Sequence, residues 1–307
     1  MEDSFQQYLW AKRWIDDRAL NLRVLQSFGQ ALKHCQHIGS SLQVLEIGAG
    51  IGTMFLRLLG AGFLEKAVYT VLDVEAQNIQ TAHHLISKET QQTGWQVTEV
   101  PNRLCLEKSG CQVEVLLERC DFYEFVERSE GLLLWDVVIA NAFLDLVNVP
   151  DVLRGLLKIT KLDALLYATI NFDGLTLFEP VIAPELDALI ATAYHQTMDQ
   201  RITKGSLSGG SQTGRRMFCW LKEAGWNILD AGSSDWVVFP KNGQYSDEEK
   251  CFLTYIVSTI QCALQDYPFL NSSTLQNWAE QRYSQIEMGE LVYIAHQLDF
   301  LARRAIP

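Results

Sequence analysis

The sequence predicts an α/β protein with a mostly parallel sheet covered by helices on both faces, and three observations support this. Apolar runs alternate with helical patterns four times in succession between residues 41 and 175, as in parallel strands joined by crossover helices. The run LLLWDVVIA at 132–140 is almost wholly apolar, which is typical of a central strand buried on both faces. The run at 42–47 leads directly into a glycine-rich turn.

The stretch LQVLEIGAGIGT, residues 42–53, reads as a strand, a glycine turn and the start of a helix. Glycine lets the backbone approach a ligand closely, and a helix start after such a turn is a common nucleotide site. Dinucleotide-binding turns have the spacing G-x-G-x-x-G. Counted from Gly48, the sixth position is Thr53, and the third glycine comes one residue early at Gly52. The pattern therefore indicates a nucleotide-like ligand but departs from the dinucleotide spacing.

The pattern E-x-G-x-G-x-G from Glu46 to Gly52 resembles motif I of the class I S-adenosylmethionine-dependent methyltransferases. The resemblance implies a Rossmann-like sheet of seven strands, with additional helices forming a lid. It also implies that the turn wraps the amino-acid and ribose part of S-adenosylmethionine. The residues assigned to the cofactor on this basis are Glu46, Gly48, Ala49, Gly50 and Gly52.

A second strand is predicted at 67–73 and ends in Asp73. An acidic residue at this place in a doubly wound fold accepts hydrogen bonds from ribose hydroxyls. The helical residues that follow resemble motif II of the same enzymes, so Asp73 and Val74 are assigned to the cofactor. The alternative is that Asp73 only caps the next helix.

The ends of the third and fourth strands complete the predicted cofactor site. Asp121 and Phe122, after a strand at 113–117, resemble motif III, in which an acid accepts from the adenine amino group and an apolar neighbour covers the ring. A simple helix cap remains the alternative for Asp121. Asn141 follows the fourth strand at the edge where open α/β sheets bind ligands. It is expected to contact the cofactor's amino group or the methyl acceptor.

Residues for catalysis and for the acceptor carry no motif and are chosen by position. Asp173, after a fifth strand at 164–170, and His195, on a predicted helix from Pro184, are candidates for a general base. An aspartate before glycine is also common in turns, and His195 is equally consistent with a solvated helix face. The residues proposed to contact the acceptor are Trp14, Tyr194, Arg201, Arg215 and Trp236.

The chain is expected to form one domain over residues 1–307. Its parts are an N-terminal helical segment at 1–40 that caps the site, the cofactor-binding core at 41–175, a lid at 176–217, the end of the sheet at 218–245 and 287–307, and a helical insertion at 246–286. The lid contains the glycine- and serine-rich segment KGSLSGGSQTGRR, which predicts a mobile loop.

Composition and charge exclude several classes of protein. A net charge of −12 and a pI near 5.0 disfavour nucleic acid as a partner. The seven cysteines are scattered without a C-x-x-C pair, which argues against a disulfide framework and a zinc site, and no other metal is expected. No apolar run is long enough for a membrane span, and the N-terminus lacks the pattern of a secretory signal. These features predict a cytoplasmic protein.

The resemblance implies transfer of a methyl group from S-adenosylmethionine to an oxygen or nitrogen atom of a small acceptor by in-line displacement. Arginines in the added segments suit an acidic acceptor. The alternatives are a protein or RNA methyltransferase, an NAD-dependent oxidoreductase and a binding module without activity. The sequence specifies neither the acceptor atom nor the oligomeric state.

Overall fold

The structure of the protein, a computed structural model, describes residues 2–36 and 41–306. Met1, residues 37–40 and Pro307 lie outside the described residues, so part of the predicted 1–40 cap is not compared. The helices are α1 Glu2–Ala19, α2 Leu22–Gln36, α3 Thr53–Gly60, α4 Ala76–Gln92, α5 Phe122–Ser129, α6 Val149–Ile159, α7 Pro184–Asp199, α8 Thr213–Glu223, α9 Asp247–Leu264 and α10 Ser272–Glu287, with a 3-10 helix at Leu144–Leu146. The strands are β1 Leu42–Ile47, β2 Lys66–Asp73, β3 Gln96–Val100, β4 Arg103–Lys108, β5 Cys111–Arg119, β6 Trp135–Asn141, β7 Thr160–Glu179, β8 Ile202–Thr203, β9 Ser206–Leu207, β10 Trp226–Ser233, β11 Trp236–Val238 and β12 Val292–Arg304.

The central sheet has the strand order β3-β4-β5-β2-β1-β6-β7-β12-β10, with β11 paired to β12. Strands β5, β2, β1, β6 and β7 run parallel to one another, and β4 is antiparallel to β5. Strand β12 is antiparallel to β7 and to β10. The first strand lies at the centre, so the strand order reverses between β1 and β6, and ligands bind at such a switch point. The predicted Rossmann-like, mostly parallel sheet is confirmed, but ten strands of the described residues take part in it where seven were expected.

Side chains from alternate positions of the central strands form two cores, one on each face of the sheet. Val44 and Ile139 face the core formed with α2, α3 and α4. Leu45 and Val138, their neighbours in the sequence, face the core formed with α5, α6 and α8. This alternation explains why these strands are apolar at nearly every position.

A group of helices covers the carboxyl ends of the parallel strands. It consists of α1, α7, α9 and α10, and we call it the helical cap. Arg282 of α10 is fully buried and forms an ion pair with Asp187 of α7 at 2.6 Å. The indole nitrogen of Trp278 donates to the same carboxylate at 2.8 Å. Helix α1 and helix α7 each pack against α9, so the four helices form one layer above the sheet edge.

The structure differs from the sequence-based prediction in the extent of two strands and in one hairpin. β7 continues to Glu179 because antiparallel pairing with β12 extends beyond the parallel part of the sheet. Strand β12, within the segment 287–307 that was expected to end the sheet, reaches Arg304 because it pairs with β7 on one side and β10 on the other. The antiparallel hairpin β3–β4 was not predicted, since four of the five residues of β3 are exposed and give no apolar pattern.

The segment 204–216, predicted as a mobile loop, contains some regular structure. The segment forms the short hairpin β8–β9 and then the start of α8 at Thr213. The backbone nitrogen of Gly209 donates to the carbonyl oxygen of Val147 at 2.7 Å, and that of Ser211 donates to Asp199 at 2.7 Å. These contacts fix a stretch whose composition alone indicates flexibility.

Other features concern the chemistry available to the protein. Residues 2–36 and 41–306 contain no helix long and apolar enough to cross a membrane. The same residues contain no group of three His, Cys, Asp or Glu side chains placed to hold a metal ion. All seven cysteines are free.

Candidate functional site

A cavity of about 570 Å³ lies between the carboxyl ends of the parallel strands and the helical cap. Its size is within the usual range for small-ligand sites. The glycine turn, the end of β2 and the start of α5 line one part, which we call the turn compartment. Residues of β7, α7, α9 and β12 line the other part, which we call the aromatic compartment.

The glycine turn requires glycine for two separate reasons. Gly48 and Gly50 have φ angles of +60° and +55°, a region that residues with a side chain rarely adopt. A Cβ atom on Gly48 would also lie 2.2 Å from Cδ2 of Phe143. Gly48, Ala49 and Gly50 line the cavity as predicted positions for the cofactor. Gly52 does not line the cavity, because it is the N-cap residue of α3 and packs closely against Ile86 of α4.

Asp73 connects the end of β2 to the glycine turn. Its Oδ2 accepts a hydrogen bond from the backbone nitrogen of Gly50 at 2.8 Å. Its Oδ1 accepts from the backbone nitrogen of Glu75 and from Nδ2 of Asn78. Burial raises the pKa of the Asp73 carboxyl, while these hydrogen bonds act to lower it. Asp73 and its neighbour Val74 line the cavity, and a carboxylate has further lone pairs for a ligand.

Glu46 was predicted to bind the cofactor, but it lies beneath the turn and does not line the cavity. It is 1% exposed, and its Oε2 accepts a hydrogen bond from the hydroxyl of Tyr69 on β2 at 2.8 Å. Burial raises the pKa of Glu46 to about 8. The residue therefore joins β1 to β2 inside the core, and direct contact with a cofactor is not supported.

Asp121 and Phe122 lie at the opposite end of the turn compartment. The Asp121 side chain caps α5 by accepting from the backbone nitrogen of Tyr123 at 3.0 Å, so the alternative role as a cap also holds. The same residue lines the cavity and forms an ion pair with Lys204 at 3.4 Å. Phe122 is 6% exposed and packs edge-on against Phe143.

Helix α1 contributes a polar group that the sequence did not reveal. Asp16, 1% exposed, accepts from Nζ of Lys12 at 2.5 Å and from Nε1 of Trp236 at 2.9 Å. Asn141 Nδ2 lies 3.5 Å from Asp16, and its Oδ1 accepts from the hydroxyl of Thr169. Lys12, Asp16, Asn141 and Trp236 all line the cavity. Trp236, predicted to contact the acceptor, therefore lies at the cavity and is already bound to Asp16.

Four tyrosines from four elements line the aromatic compartment: Tyr8, Tyr194, Tyr255 and Tyr293. The rings of Tyr8 and Tyr255 stack with centroids 3.8 Å apart. Burial raises the pKa of each tyrosine, that of Tyr194 to about 12. None of the four hydroxyls has a hydrogen-bond partner among the described side chains, which are those of residues 5–35 and 41–306. They are therefore protonated groups available to a ligand.

Arg201 and Asp145 are the charged residues that act on the Tyr194 hydroxyl. Arg201 lines the cavity, and its guanidinium forms no ion pair within the described part of the chain. Asp145 lines the same region, and burial raises its pKa, while Arg201 and Lys12 act in the opposite direction. The charge of Arg201 acts to lower the pKa of Tyr194, and that of Asp145 acts to raise it. The compartment thus combines hydroxyl groups with one guanidinium and one carboxyl.

Two of the residues predicted to contact the acceptor, Trp14 and Arg215, lie outside the cavity lining. Trp14 is 44% exposed and packs edge-on against Trp10, on a face of α1 turned away from the site. Arg215 binds Asp173 instead, with Nε and the backbone nitrogen both donating to Asp173 Oδ1.

Asp173, predicted as a base, is held between three elements and does not line the cavity. In addition to Arg215, the ring of His296 lies 3.7 Å from its Oδ2. Asp173 is 5% exposed, so its carboxylate is used to fasten α8 to β7. A role as the general base is not supported by this position.

His195 lies one residue behind the cavity wall. Its Nε2 is 3.1 Å from Oγ1 of Thr176, and Thr176 lines the cavity. The ring packs against Phe172, which also lines the cavity. Burial lowers the pKa of the His195 imidazole, and Asp199 partly opposes this effect. His195 therefore reaches the site through the Thr176 hydroxyl.

No protein-family model matches the chain, and no curated protein matches its sequence. Solved structures with a similar course of the chain include a Bacillus halodurans protein provisionally described as a methyltransferase (12% identity, TM-score 0.48, 91% of this chain and 100% of that chain). Another is phosphoethanolamine N-methyltransferase 2 of Haemonchus contortus, solved with phosphomonomethylethanolamine and S-adenosylhomocysteine (12%, 0.44, 97% and 57%). A third is the cyclopropane synthase MmaA2 of Mycobacterium tuberculosis (11%, 0.41, 86% and 79%).

These likenesses are too weak to carry a conclusion about activity. Among solved structures that resemble this chain, methyltransferases recur. The fold itself rests on the strand order and on the position of the glycine turn.

Proposed function

We propose that the protein is an S-adenosylmethionine-dependent methyltransferase that acts on an oxygen or nitrogen atom of a small acceptor. One observation carries this proposal. The glycine turn, Asp73, Asp121 and Asn141 line a single cavity that continues into a second compartment beneath the helical cap. A methyl donor and an acceptor need such adjoining compartments, because in-line displacement requires both molecules in one enclosed space.

The turn compartment fits the cofactor residue by residue. Gly48 and Gly50 leave space that a Cβ atom would restrict, and Asp73 presents carboxylate lone pairs beside the turn, where ribose hydroxyls are bound in doubly wound folds. Phe122 offers an apolar surface for adenine, and Asp121 offers an acceptor for its amino group. Bound S-adenosylmethionine would supply an electrophilic methyl group on a sulfonium.

The aromatic compartment fits a small acceptor that carries an acidic group. The unpaired guanidinium of Arg201 is suited to a carboxylate or phosphate. The hydroxyls of Tyr8, Tyr194 and Tyr293 add hydrogen-bond donors at the same place. Helices α1, α7 and α9 line a cavity of about 570 Å³, and this volume favours a metabolite.

Proton removal is assigned to His195 acting through Thr176. An acceptor hydroxyl or ammonium loses a proton as its oxygen or nitrogen bonds to the methyl carbon. The Thr176 hydroxyl lies between the cavity and His195 Nε2, so it accepts the substrate proton as it donates its own to the imidazole. The lowered pKa of His195 keeps the ring neutral, and therefore able to accept, at neutral pH.

The first experiment is calorimetric titration with S-adenosylhomocysteine and, separately, with NAD. We expect binding of S-adenosylhomocysteine and none of NAD. Asp73→Asn should weaken the binding of S-adenosylhomocysteine about tenfold, because a charge-assisted hydrogen bond to the ribose is lost. Asparagine, unlike alanine, retains an oxygen that accepts from the backbone nitrogen of Gly50. Glu75→Gln is the matched control. Binding of NAD alone, or of neither ligand, would refute the proposal.

Once an acceptor is found by screening acidic metabolites, the pH dependence tests His195. Burial lowers the pKa of His195 from its usual value of about 6.5, so the imidazole is neutral above a midpoint that lies under this value. We expect kcat to rise with pH through that midpoint and then to stay level. His195→Gln should remove this dependence and lower kcat about tenfold, less than typical general-base effects because proximity supplies most of the rate. His84→Gln, on the exposed face of α4, should change neither. An unaltered pH profile in His195→Gln would exclude the relay.

A further inference from the structure

Lys12 is a buried lysine whose hydrogen bonds are incomplete. It is 7% exposed, and among the described residues its ammonium contacts Asp16 alone. A lysine ammonium has three N–H donors, and buried donors are nearly always paired. Lys12 also lines the cavity. Two donors are thus left for a ligand with anionic or strongly accepting oxygens.

Asp16 fixes where this ammonium lies. Its carboxylate also accepts from Trp236 Nε1, and the Lys12 Nζ stands 5.2 Å from the centre of the Trp236 ring. Burying an ion pair costs free energy that the pair itself barely recovers. Lys12 and Asp16 are four residues apart on α1, so the Lys12 charge is not needed to join α1 to β11, which Asp16 contacts through Trp236. The presence of this charge at a cavity wall points to a ligand that uses it.

Helix α1 places Lys12 beside the glycine turn. Leu9, three residues earlier on the same face, has Cδ1 3.4 Å from where a Cβ of Gly50 would lie. Gln6, a further turn back, donates to Asn78, which in turn donates to Asp73. On the other side, Asp16 meets Asn141 at the end of β6. These contacts place Lys12 between the glycine turn and the end of β6.

We propose that Lys12, positioned by Asp16, binds the α-carboxylate at the amino-acid end of S-adenosylmethionine. This rests on the proposed function. With the nucleoside between Asp73 and Asp121, the amino-acid end extends towards Gly48 and Asn141, and Lys12 lies on the helix that contacts both of these regions. Lys12 is then a binding residue and Asp16 a positioning residue.

The test compares two ligands that differ only at the amino-acid end. S-adenosylhomocysteine has it, whereas 5′-methylthioadenosine retains the nucleoside and sulfur without it. Calorimetry on the full chain should show tighter binding of S-adenosylhomocysteine by the natural protein. Lys12→Met should reduce the affinity for S-adenosylhomocysteine about tenfold or more and leave that for 5′-methylthioadenosine unchanged. Lys12→Arg should retain part of the preference.

Two further variants separate binding from stability. Lys12→Met leaves Asp16 buried without its partner, so the double variant Lys12→Met/Asp16→Asn removes both charges and should lose the same preference. Lys204→Met is the matched control, because Lys204 lines the cavity beside Asp121. It should change both affinities by the same factor.

The outcomes distinguish this proposal from its alternatives. An equal loss for both ligands in Lys12→Met would overturn it and leave Lys12 a structural residue. An unchanged preference with a raised KM for the acceptor would also overturn it and assign Lys12 to the acceptor. If the natural protein bound neither ligand, the proposed function itself would fail, and this inference with it.

Discussion

Replacing Gly48 with alanine is expected to weaken binding of S-adenosylhomocysteine about 100-fold. The new Cβ would lie 2.2 Å from Phe143, whose ring lines the cavity and packs on Phe122. Forcing the ring aside costs about 1–3 kcal/mol, and a residue with a side chain at φ +60° adds about 1–3 kcal/mol. Part of this cost falls on the bound state, because the displaced ring occupies the turn compartment. Titration calorimetry measures the change.

Gly62→Ala separates backbone strain from the clash. Gly62 has a φ angle of +71°, close to that of Gly48, and a Cβ there would meet nothing within 4 Å. This variant should lose a little thermal stability and bind S-adenosylhomocysteine normally. If both variants lost binding equally, the steric clash with Phe143 would not be the cause of the loss in Gly48→Ala.

Replacing Arg282 with alanine is expected to lower the free energy of unfolding by about 3–5 kcal/mol. The guanidinium is fully buried and donates to Asp187, to the carbonyl oxygen of Pro180 and to Gln285. It also lies over the rings of Phe178 and Trp278 at 5.1 and 5.5 Å. Its removal leaves the Asp187 carboxylate without its cation and opens a cavity among aromatic rings. Denaturant unfolding gives the free energy.

An exposed ion pair provides the comparison for Arg282. Lys250 and Glu287 join α9 to α10 at 3.4 Å, with side chains 40% and 73% exposed. Lys250→Met should change the free energy of unfolding by less than about 1 kcal/mol, since water already solvates both charges. A similar small effect for Arg282→Ala would mean that the helical cap is held by apolar packing alone.

The parallel core could be predicted from the sequence because its signals are local. Strand β1, the glycine turn and Asp73 each follow from neighbouring residues and from the apolar pattern around them. The carboxyl ends of parallel strands then meet at one edge regardless of the details of packing. This explains why Asp121 and Asn141, far apart in the sequence, were placed at the same cavity.

The rest of the site depends on contacts between distant segments. Nothing near Asp16 in the sequence indicates that Trp236 donates to it, 220 positions away. Trp14 was predicted to contact a ligand, yet it lies on the exposed face of α1, whereas Lys12 lies on the buried face. Asp173 occupied the expected edge, but Arg215 and the start of α8 bind its carboxylate. Side-chain pairing of this kind has no pattern in the sequence.

The pairing of β7 with β12 has a consequence for the order of assembly during synthesis. Between them in the chain come the helices α7, α8, α9 and α10 and the strands β8, β9, β10 and β11. Until β12 emerges from the ribosome, β7 has one edge free from Leu165 to Glu179, and a long free edge can pair with other chains. Among the described strands, β10 joins the sheet only through β12. This side of the sheet therefore closes only after β12 has been synthesised, and until then the β7 edge is open to pairing with other chains.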